Sequence, residues 1–421
     1  MKNVWKNYRF PIILLSSVIA GSIIGITVGE KAEVIKPLGD IFLNLMFTLV
    51  VPLVFFATAS AIANMGSKGR FKKVISSTFL VFIGTGLVAA LVMVLAVKLF
   101  PSATQMNIEL TKPESVESIS AGEQIVGIFT TDNFINLFTR EHMLALIFFS
   151  LLLGFAISTV GEKAKPLARF LDAGTLVLTK MVNLVMYYAP IGLGSYFAYL
   201  VGSFGTDLLK TYMNSTILYF TVAILFFFVA YTVYAFLAGG KKAIPLLWKN
   251  MVSPSVTALA TCSSMASLPV NLEATRKMLI PSDIGETVIP LGASMHKDGS
   301  VLGVIVKIAV LFSVFDMHFS GFTTIGIAML IAVLGGTVMG AIPSGGMIAE
   351  MLIISLYGFP MEALPVIAAI STIIDAPATM LNVTGDNAAA MLVTRRVEGK
   401  DWMNKTANEG QKEEKDEMLG Y

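Results

Sequence analysis

Charged residues are scarce in this chain. Only 14% of its 421 residues are Asp, Glu, Lys or Arg, whereas a soluble domain carries about a quarter. Hydrophobic residues make up 55%, and a soluble fold could not keep so much apolar surface away from water. The shortage of charge therefore argues against a soluble protein and favours an integral membrane protein.

Cysteine is nearly absent as well. Cys262 is the only one, which excludes a disulfide within one chain. The formal net charge is +2, so no nucleic-acid partner is expected. No nucleotide-binding loop and no protease constellation is found, so the sequence predicts no enzyme and no cofactor.

Long apolar runs take the place of charge. Several reach the roughly 20 residues that cross a bilayer core. The first follows three basic residues, as in a signal peptide, but it is too long and no convincing small-residue cleavage site follows it. We interpret it as a transmembrane helix. The charge-free runs are 10–29, 74–97, 143–161, 211–240 and 319–349.

Basic clusters separate these runs, whereas the segment 101–140 is mostly acidic. The positive-inside rule places the basic clusters and both termini in the cytoplasm and 101–140 outside the cell. The predicted location is the plasma (inner) membrane, crossed several times. The first six helices are expected at about 9–29, 35–64, 74–100, 141–160, 166–203 and 209–239.

In the second half of the sequence, the apolar segments are interrupted. Residues 246–278 are apolar but broken by Pro254, by a Ser/Thr-rich centre and by Pro269, with basic residues at both ends, which predicts a re-entrant hairpin. The segment 285–315 should cross with an interruption at 294–300, and 361–396 should cross back. A second broken segment spans 323–358 around 341–346, and the charged tail from Val397 is expected to be disordered.

The pattern predicts an all-α integral membrane fold of eight transmembrane helices plus two re-entrant helical hairpins. Hydrophobic segments broken by Pro, Gly and Ser are typical of transport sites. Non-helical backbone at membrane depth is tolerated only where protein or water satisfies it. The two broken tips are therefore expected to face a polar cavity, with a small solute and membrane lipid as partners.

Ionisable residues within the apolar C-terminal segments are few, and each is costly in a membrane. They are His296, Lys297, Asp298, Lys307, Glu350, Asp375 and Asp386. A functional role is the default, but Lys307 and Glu350 stay open between such a role and mutual neutralisation or solvation near helix ends.

Asp375, Thr379, Asn382 and Asp386 are spaced four, three and four residues apart, which puts them on one helical face. They form a polar stripe that can line a cavity. The alternative is an interhelical hydrogen-bond seam, which two carboxylates make less suitable because each needs a cationic partner or a proton.

Four patches together resemble the dicarboxylate/amino acid:cation symporters, which include archaeal aspartate transporters and excitatory amino acid transporters. Residues 261–270 are similar to the serine-rich first hairpin tip of that family, and 288–300 to its unwound seventh helix. Residues 341–346 resemble the second hairpin tip and 375–386 the eighth helix. Order, spacing and topology agree over almost the whole chain.

The resemblance implies an elevator-type glutamate-transporter fold in a homotrimer. Its scaffold would comprise 1–73 (helices one and two) and 141–208 (helices four and five). Helix three (74–100) and 209–396, with both hairpins, would form the moving transport domain. The segment 101–140 would be an extracellular loop and 397–421 a cytoplasmic tail.

The resemblance also implies a substrate site. Asp375 would bind the amino group of the substrate, while Asn382 and Ser264 would hold its α-carboxylate. The full expected set is Ser263, Ser264, Ser300, Pro343, Gly345, Gly346, Asp375, Ala378, Thr379 and Asn382.

The departures from the family pattern bear on the substrate. The arginine that grips a side-chain carboxylate in acidic amino acid transporters corresponds to Ala378. The two positions from which another arginine could compensate are Cys262 and Ala376. Without a guanidinium partner for a second carboxylate, a small neutral amino acid is the expected solute.

The cation sites also depart from the pattern. The expected Asn-Met is His296-Lys297, and the expected tyrosine and serine of helix three are Phe82 and Gly86. We expect the loss of at least one sodium site, with a proton or reduced sodium dependence driving transport. The alternative is that Lys297 points to water and sodium binds through backbone carbonyls. The expected coupling residues are Thr85, Gly292, His296, Lys297, Asp298, Asn382 and Asp386, of which Asp298, Asn382 and Asp386 are the candidate sodium ligands.

Three functions remain open from sequence. The leading hypothesis is a cation-driven amino acid symporter. The second is an uncoupled facilitator, exchanger or anion-leak channel of the same fold, which could not concentrate a solute. The third is a transport-dead sensor or scaffold, which would bind ligand without flux.

Overall fold

The computed structural model describes residues 2–63, 70–100, 130–139, 142–204, 206–338 and 346–403. Every regular element in these ranges is a helix, which confirms the all-α prediction. The helices of the first half are α1 (Lys2–Val28), α2 (Lys36–Ala63), α3 (Arg70–Leu99), α4 (Met143–Val160), α5 (Lys165–Met186), α6 (Ala189–Phe204) and α7 (Thr206–Gly239). The helices of the second half are α8 (Ala243–Thr261), α9 (Leu268–Lys277), α10 (Ser282–Met295), α11 (Asp298–Val314), α12 (Phe322–Val338), α13 (Gly346–Tyr357) and α14 (Leu364–Glu398).

Within the described ranges, four helical stretches are long and apolar enough to cross a membrane: Lys73–Leu99, Ala145–Met186, Leu209–Thr261 and Leu364–Glu398. Shorter apolar helices lie at Val51–Ser60 and Phe322–Gly336. The four long stretches each exceed the roughly 20 residues that are needed to cross the hydrocarbon core of a bilayer.

The predicted fifth helix at 166–203 is wrong as one element. It is divided into α5 and α6 by a turn at Tyr187 and Tyr188, whose amides bond three residues back, to Leu184 and Val185. Pro190 explains the break, because it has no N–H to donate to the carbonyl four residues back, at the end of α5, and its ring would clash with that carbonyl.

The expectation of disorder is wrong for residues 397–403. Val397 and Trp402 are buried, and the Trp402 indole N–H donates to the carbonyl of Ala238 at 2.9 Å. A tryptophan ring removes a large apolar area from water when it packs, which offsets the cost of ordering a short charged segment. Residues 404–421 lie outside the described ranges.

The helices pack in two groups. In one, α1 packs against α6, and α2 packs against α4, α5 and α6. Small residues allow close contact there: a Cβ on Gly21 would lie 2.0 Å from the carbonyl oxygen of Gly194. Such small-residue contacts are common between membrane helices.

The second group surrounds α14. This helix packs against α3, α7, α8, α10 and α11, and α11 also packs against α3 and α12. The stripe predicted between Asp375 and Asp386 therefore lies where several helices converge. Thr379, Asn382 and Asp386 are buried there, whereas Asp375 is exposed.

Two pairs of consecutive helices occupy the segments predicted to form hairpins, and we refer to them as the first and second hairpin. In the first, α8 ends at Thr261, the next residue, Cys262, has a left-handed φ of 48°, and the chain returns as α9. In the second, α12 and α13 pack together. The tip between them, including Pro343 and Gly345, lies outside the described ranges.

Candidate functional site

The site begins where one helix is interrupted. Between α10 and α11, His296 (φ −108°, ψ 113°) and Lys297 (φ −139°, ψ 53°) leave the helical conformation. The break predicted within 294–300 is therefore confirmed and is confined to these two residues. Extended backbone at this point directs two neighbouring side chains to different surroundings.

The His296 ring is enclosed by polar atoms from three helices. Its Nδ1 lies 3.0 Å from Asp386 Oδ1, and its Nε2 lies 2.8 Å from Thr85 Oγ1 and 3.3 Å from Asp298 Oδ1. The ring also stacks on Phe82, with the centroids 4.4 Å apart. Three predicted coupling residues, Thr85, Asp298 and Asp386, thus contact a fourth, His296.

Close packing fixes the ring in this position. A Cβ on Gly292 would lie 2.3 Å from Asp386 Oδ1, so only glycine lets α10 approach that carboxylate. A Cβ on Gly385 would lie 3.1 Å from His296 Cε1. The backbone carbonyl of Gly292 accepts the His296 N–H at 3.0 Å, so it holds the helix end.

Asp298 has the most demanding environment. It is completely buried, and neither carboxylate oxygen has a hydrogen bond among the described residues. The nearest ionisable group to this carboxylate is His296, whose Nε2 lies 3.3 Å from Asp298 Oδ1. A buried carboxylate needs a cationic partner or a proton.

The residues present do not fit a sodium ion between Asp298 and Asp386. Hard cations are bound by oxygen, and carboxylate, carbonyl and hydroxyl groups would have to converge on one point. Here the imidazole fills that space, and its nitrogens face Asp386, Asp298 and Thr85. Among the candidate sodium ligands, Asn382 uses its side-chain oxygen elsewhere.

Asn382 holds the start of α11. Its side-chain oxygen accepts the backbone N–H of Gly299 at 2.9 Å and of Ser300 at 3.3 Å, and its amide donates to Ser300 Oγ at 3.0 Å. A Cβ on Gly299 would lie 2.4 Å from the carbonyl oxygen of Ala378. These contacts join the predicted substrate residues Ser300, Ala378 and Asn382.

Lys297 belongs to a different environment from His296. Its ammonium donates to Ser264 Oγ at 3.0 Å and to the carbonyl of Ala293 at 2.7 Å. The side chain is 6% exposed, and Gly336 of α12 lies beside its Cβ. Lys297 therefore reaches the first hairpin tip, while His296 is the one that contacts Asp298.

The other predicted substrate residues occupy the same region. Asp375 is exposed, whereas Thr379 is buried one turn further along α14. Ser263 Oγ accepts the N–H of Ala266 within the first tip. On the second hairpin, a Cβ on Gly346 would lie 3.3 Å from Ser371 Oγ, one turn before Asp375.

A buried ion pair lies next to Gly346. Lys307 Nζ contacts Glu350 Oε1 at 3.3 Å and donates to Ser371 Oγ at 2.7 Å, and Ser371 donates to Glu350. Mutual neutralisation, which the sequence left open, is the arrangement found. The pair joins α11, α13 and α14.

Sequence reasoning missed several contributors. Ser371 was detectable only as a polar residue one turn before Asp375. Asn271 and Asn387 gave a signal as amides in apolar helices: they bond to each other, and Asn271 also donates to the carbonyl of Val383 at 2.9 Å. Tyr231, whose hydroxyl donates to the carbonyl of Leu381 at 2.6 Å, gave none.

Comparison with known proteins places this sequence in a family. The family model described as the sodium:dicarboxylate symporter family matches residues 10–396. A proton/sodium-glutamate symport protein of Geobacillus stearothermophilus is 26% identical over 398 residues, covering 89% of this chain and 92% of the relative.

Two relatives from Bacillus subtilis (strain 168) agree. A C4-dicarboxylate transport protein is 25% identical over 402 residues, covering 93% of this chain and 94% of its own length. A proton/glutamate-aspartate symporter is 26% identical over 400 residues, covering 93% and 95%. Because the family model covers most of the sequence, this chain belongs to the sodium:dicarboxylate symporter family, whose members are membrane transporters and not enzymes.

Proposed function

We propose that this chain is a secondary-active symporter that moves a small neutral amino acid and is coupled to protons rather than to sodium. The observation that carries the proposal is the His296 imidazole held between Asp298, Asp386 and Thr85. The relatives' names include both proton and sodium coupling, so either cation is compatible with the family.

Histidine suits proton coupling for a chemical reason. A neutral ring has one N–H, whereas an imidazolium has two and can donate from both nitrogens. The carboxylates of Asp386 and Asp298 face opposite nitrogens of His296, so both have an N–H donor only when the ring is protonated. The proton thereby supplies the positive charge that a metal ion would otherwise bring between two carboxylates.

The substrate proposal rests on which charges remain near the pocket. Lys297 and Ser264 suit a carboxylate, and Asp375 suits an ammonium group. Ala378 is 5% exposed and carries no charge, so a second carboxylate has no arginine there. A zwitterion with a small neutral side chain matches these groups, in contrast to the glutamate and dicarboxylates named for the relatives.

The two packing groups suggest how the solute crosses. We assign α1, α2, α4, α5 and α6 to a static scaffold that forms a homotrimer. The remaining helices would carry the substrate site as one elevator-type body, with the second hairpin as its gate. The buried pair Lys307–Glu350 supports a gate whose inner arm is attached to α11 and α14.

Substrate choice is tested with purified protein in proteoliposomes under an inward proton gradient. Uptake of a labelled neutral amino acid should reach an internal concentration above the external one, and excess aspartate or succinate should not compete. Saturable aspartate uptake with similar efficiency would refute the neutral substrate. Uptake that stops at equal concentrations would instead identify a facilitator.

A further inference from the structure

A groove opens on the outside of the helix group that contains the site. It lies between α3, α7 and α14 and has a volume of about 550 Å³. This is within the range of roughly 300–1,000 Å³ that is typical of ligand pockets. Its walls are mainly apolar, with Leu80, Val88 and Leu237 among the exposed lining residues.

One end of the groove is strongly basic. Arg395, Arg396 and Lys400 line it, and none of the described lining residues is acidic. Lys73 lies close to the same end, because its ammonium donates to the carbonyl of Val397 at 2.8 Å. The positive-inside rule places this end at the cytoplasmic surface of the membrane.

We propose that the groove binds one anionic phospholipid. Its phosphate would lie against Arg395, Arg396 and Lys400, and an acyl chain would run along Leu80 and Val88. Charge complementarity selects an anionic lipid, since basic pockets between helices on the cytoplasmic side attract such headgroups. The apolar walls select a lipid over free phosphate.

The lipid site reaches the coupling cluster through one residue. Thr85 lines the groove and also contacts His296 Nε2 at 2.8 Å. An acyl chain at this position would pack against the helix that supplies one of the ring's partners. The transport site and the lipid site thus share a wall of α3.

The test is native mass spectrometry of the purified full chain with phosphatidylglycerol or phosphatidylcholine of the same acyl chains. Wild type should retain one phosphatidylglycerol per chain more tightly than phosphatidylcholine. Arg395→Gln with Arg396→Gln should weaken phosphatidylglycerol about 30-fold, since each basic residue contributes about fivefold. The control pair Arg276→Gln with Lys277→Gln, on exposed residues of α9, should change nothing.

A second variant tests the acyl-chain path. A Cβ on Gly84 meets nothing within 4 Å, so Gly84→Leu extends into the groove without strain, whereas Gly326→Leu on α12 is equally open but distant. Gly84→Leu should reduce retention of both lipids at least tenfold, and Gly326→Leu should not. Glycerol 3-phosphate should fail to displace the lipid.

Three results would overturn the proposal. They are equal retention of the two lipids by wild type, wild-type retention by the double arginine variant, and displacement by glycerol 3-phosphate alone. If the arginine variant does not fold, Gly84→Leu against Gly326→Leu decides the matter, and wild-type retention by Gly84→Leu counts against the groove.

Discussion

At the residue scale, one residue joins most of the candidate site. The ring of His296 contacts Asp298, Asp386 and Thr85. The neighbouring Lys297 reaches Ser264. Two adjacent side chains therefore serve different halves of the site, because the extended backbone between α10 and α11 separates them.

Ala378 provides a prediction on substrate choice. Replacing it with arginine introduces a guanidinium for a second carboxylate, so aspartate should inhibit neutral amino acid uptake at a concentration at least tenfold lower than in wild type. Competition in proteoliposomes measures this effect. Ala378→Met has a long side chain without charge and should not gain aspartate inhibition. If aspartate inhibits both variants equally, the size of the side chain at position 378, and not its charge, determines aspartate inhibition.

Gly292 provides a prediction on packing. Because its Cβ would lie 2.3 Å from Asp386 Oδ1, Gly292→Ala should destabilise the protein by about 1–3 kcal/mol and weaken the His296–Asp386 contact. Thermal unfolding in detergent measures the stability. Gly84→Ala, on an open surface of α3, is the matched control and should unfold at or above the wild-type temperature. Equal unfolding temperatures for Gly292→Ala and wild type would contradict the close approach.

At the element scale, most boundaries could be predicted from the sequence. Runs without charge gave α3 and α7 within a few residues, because a membrane demands continuous apolar stretches. The interruption at His296 and Lys297 was detectable from Gly, Ser and charge in an apolar segment. The division of α5 from α6 was not, because both sides of Tyr187 are apolar and hydropathy alone does not register the effect of Pro190.

Side-chain partners were harder to predict than elements. The stripe on α14 was visible from its spacing, but the distance from His296 to Asp386 depends on how α10 packs against α14. Tyr231 became recognisable only in three dimensions. Pairing across ninety residues of chain is a property of tertiary packing, which a local pattern does not specify.

The pair Lys307–Glu350 gives a prediction about how α11, α13 and α14 are held together. Lys307→Met leaves the Glu350 carboxylate buried without its cation, which should cost about 3–5 kcal/mol of stability. Lys307→Met combined with Glu350→Leu removes both charges and should recover most of that loss. Thermal unfolding of Lys307→Met, of Glu350→Leu and of the double variant measures the coupling between the two residues. Additive losses in the double variant would contradict a direct pair.

At the scale of the whole molecule, the structure contains two packing groups, one central polar cluster and one groove. In the proposed mechanism, the cluster holds the coupling proton and the group around α14 carries the solute. Family membership fixes transport as the activity. The proposed neutral substrate rests on Ala378, and the proposed proton coupling rests on His296.

Proton coupling is tested most directly by measuring accumulation of a labelled neutral amino acid in proteoliposomes. One set of proteoliposomes has an inward proton gradient, and the other has an inward sodium gradient with equal pH on both sides. Wild type should concentrate the solute with the proton gradient and be indifferent to sodium. His296→Asn should lose at least nine-tenths of proton-driven accumulation. His142→Asn, at a residue whose imidazole bonds to Thr139, should retain it. Accumulation driven by sodium in wild type, or proton drive that survives His296→Asn, would contradict the account.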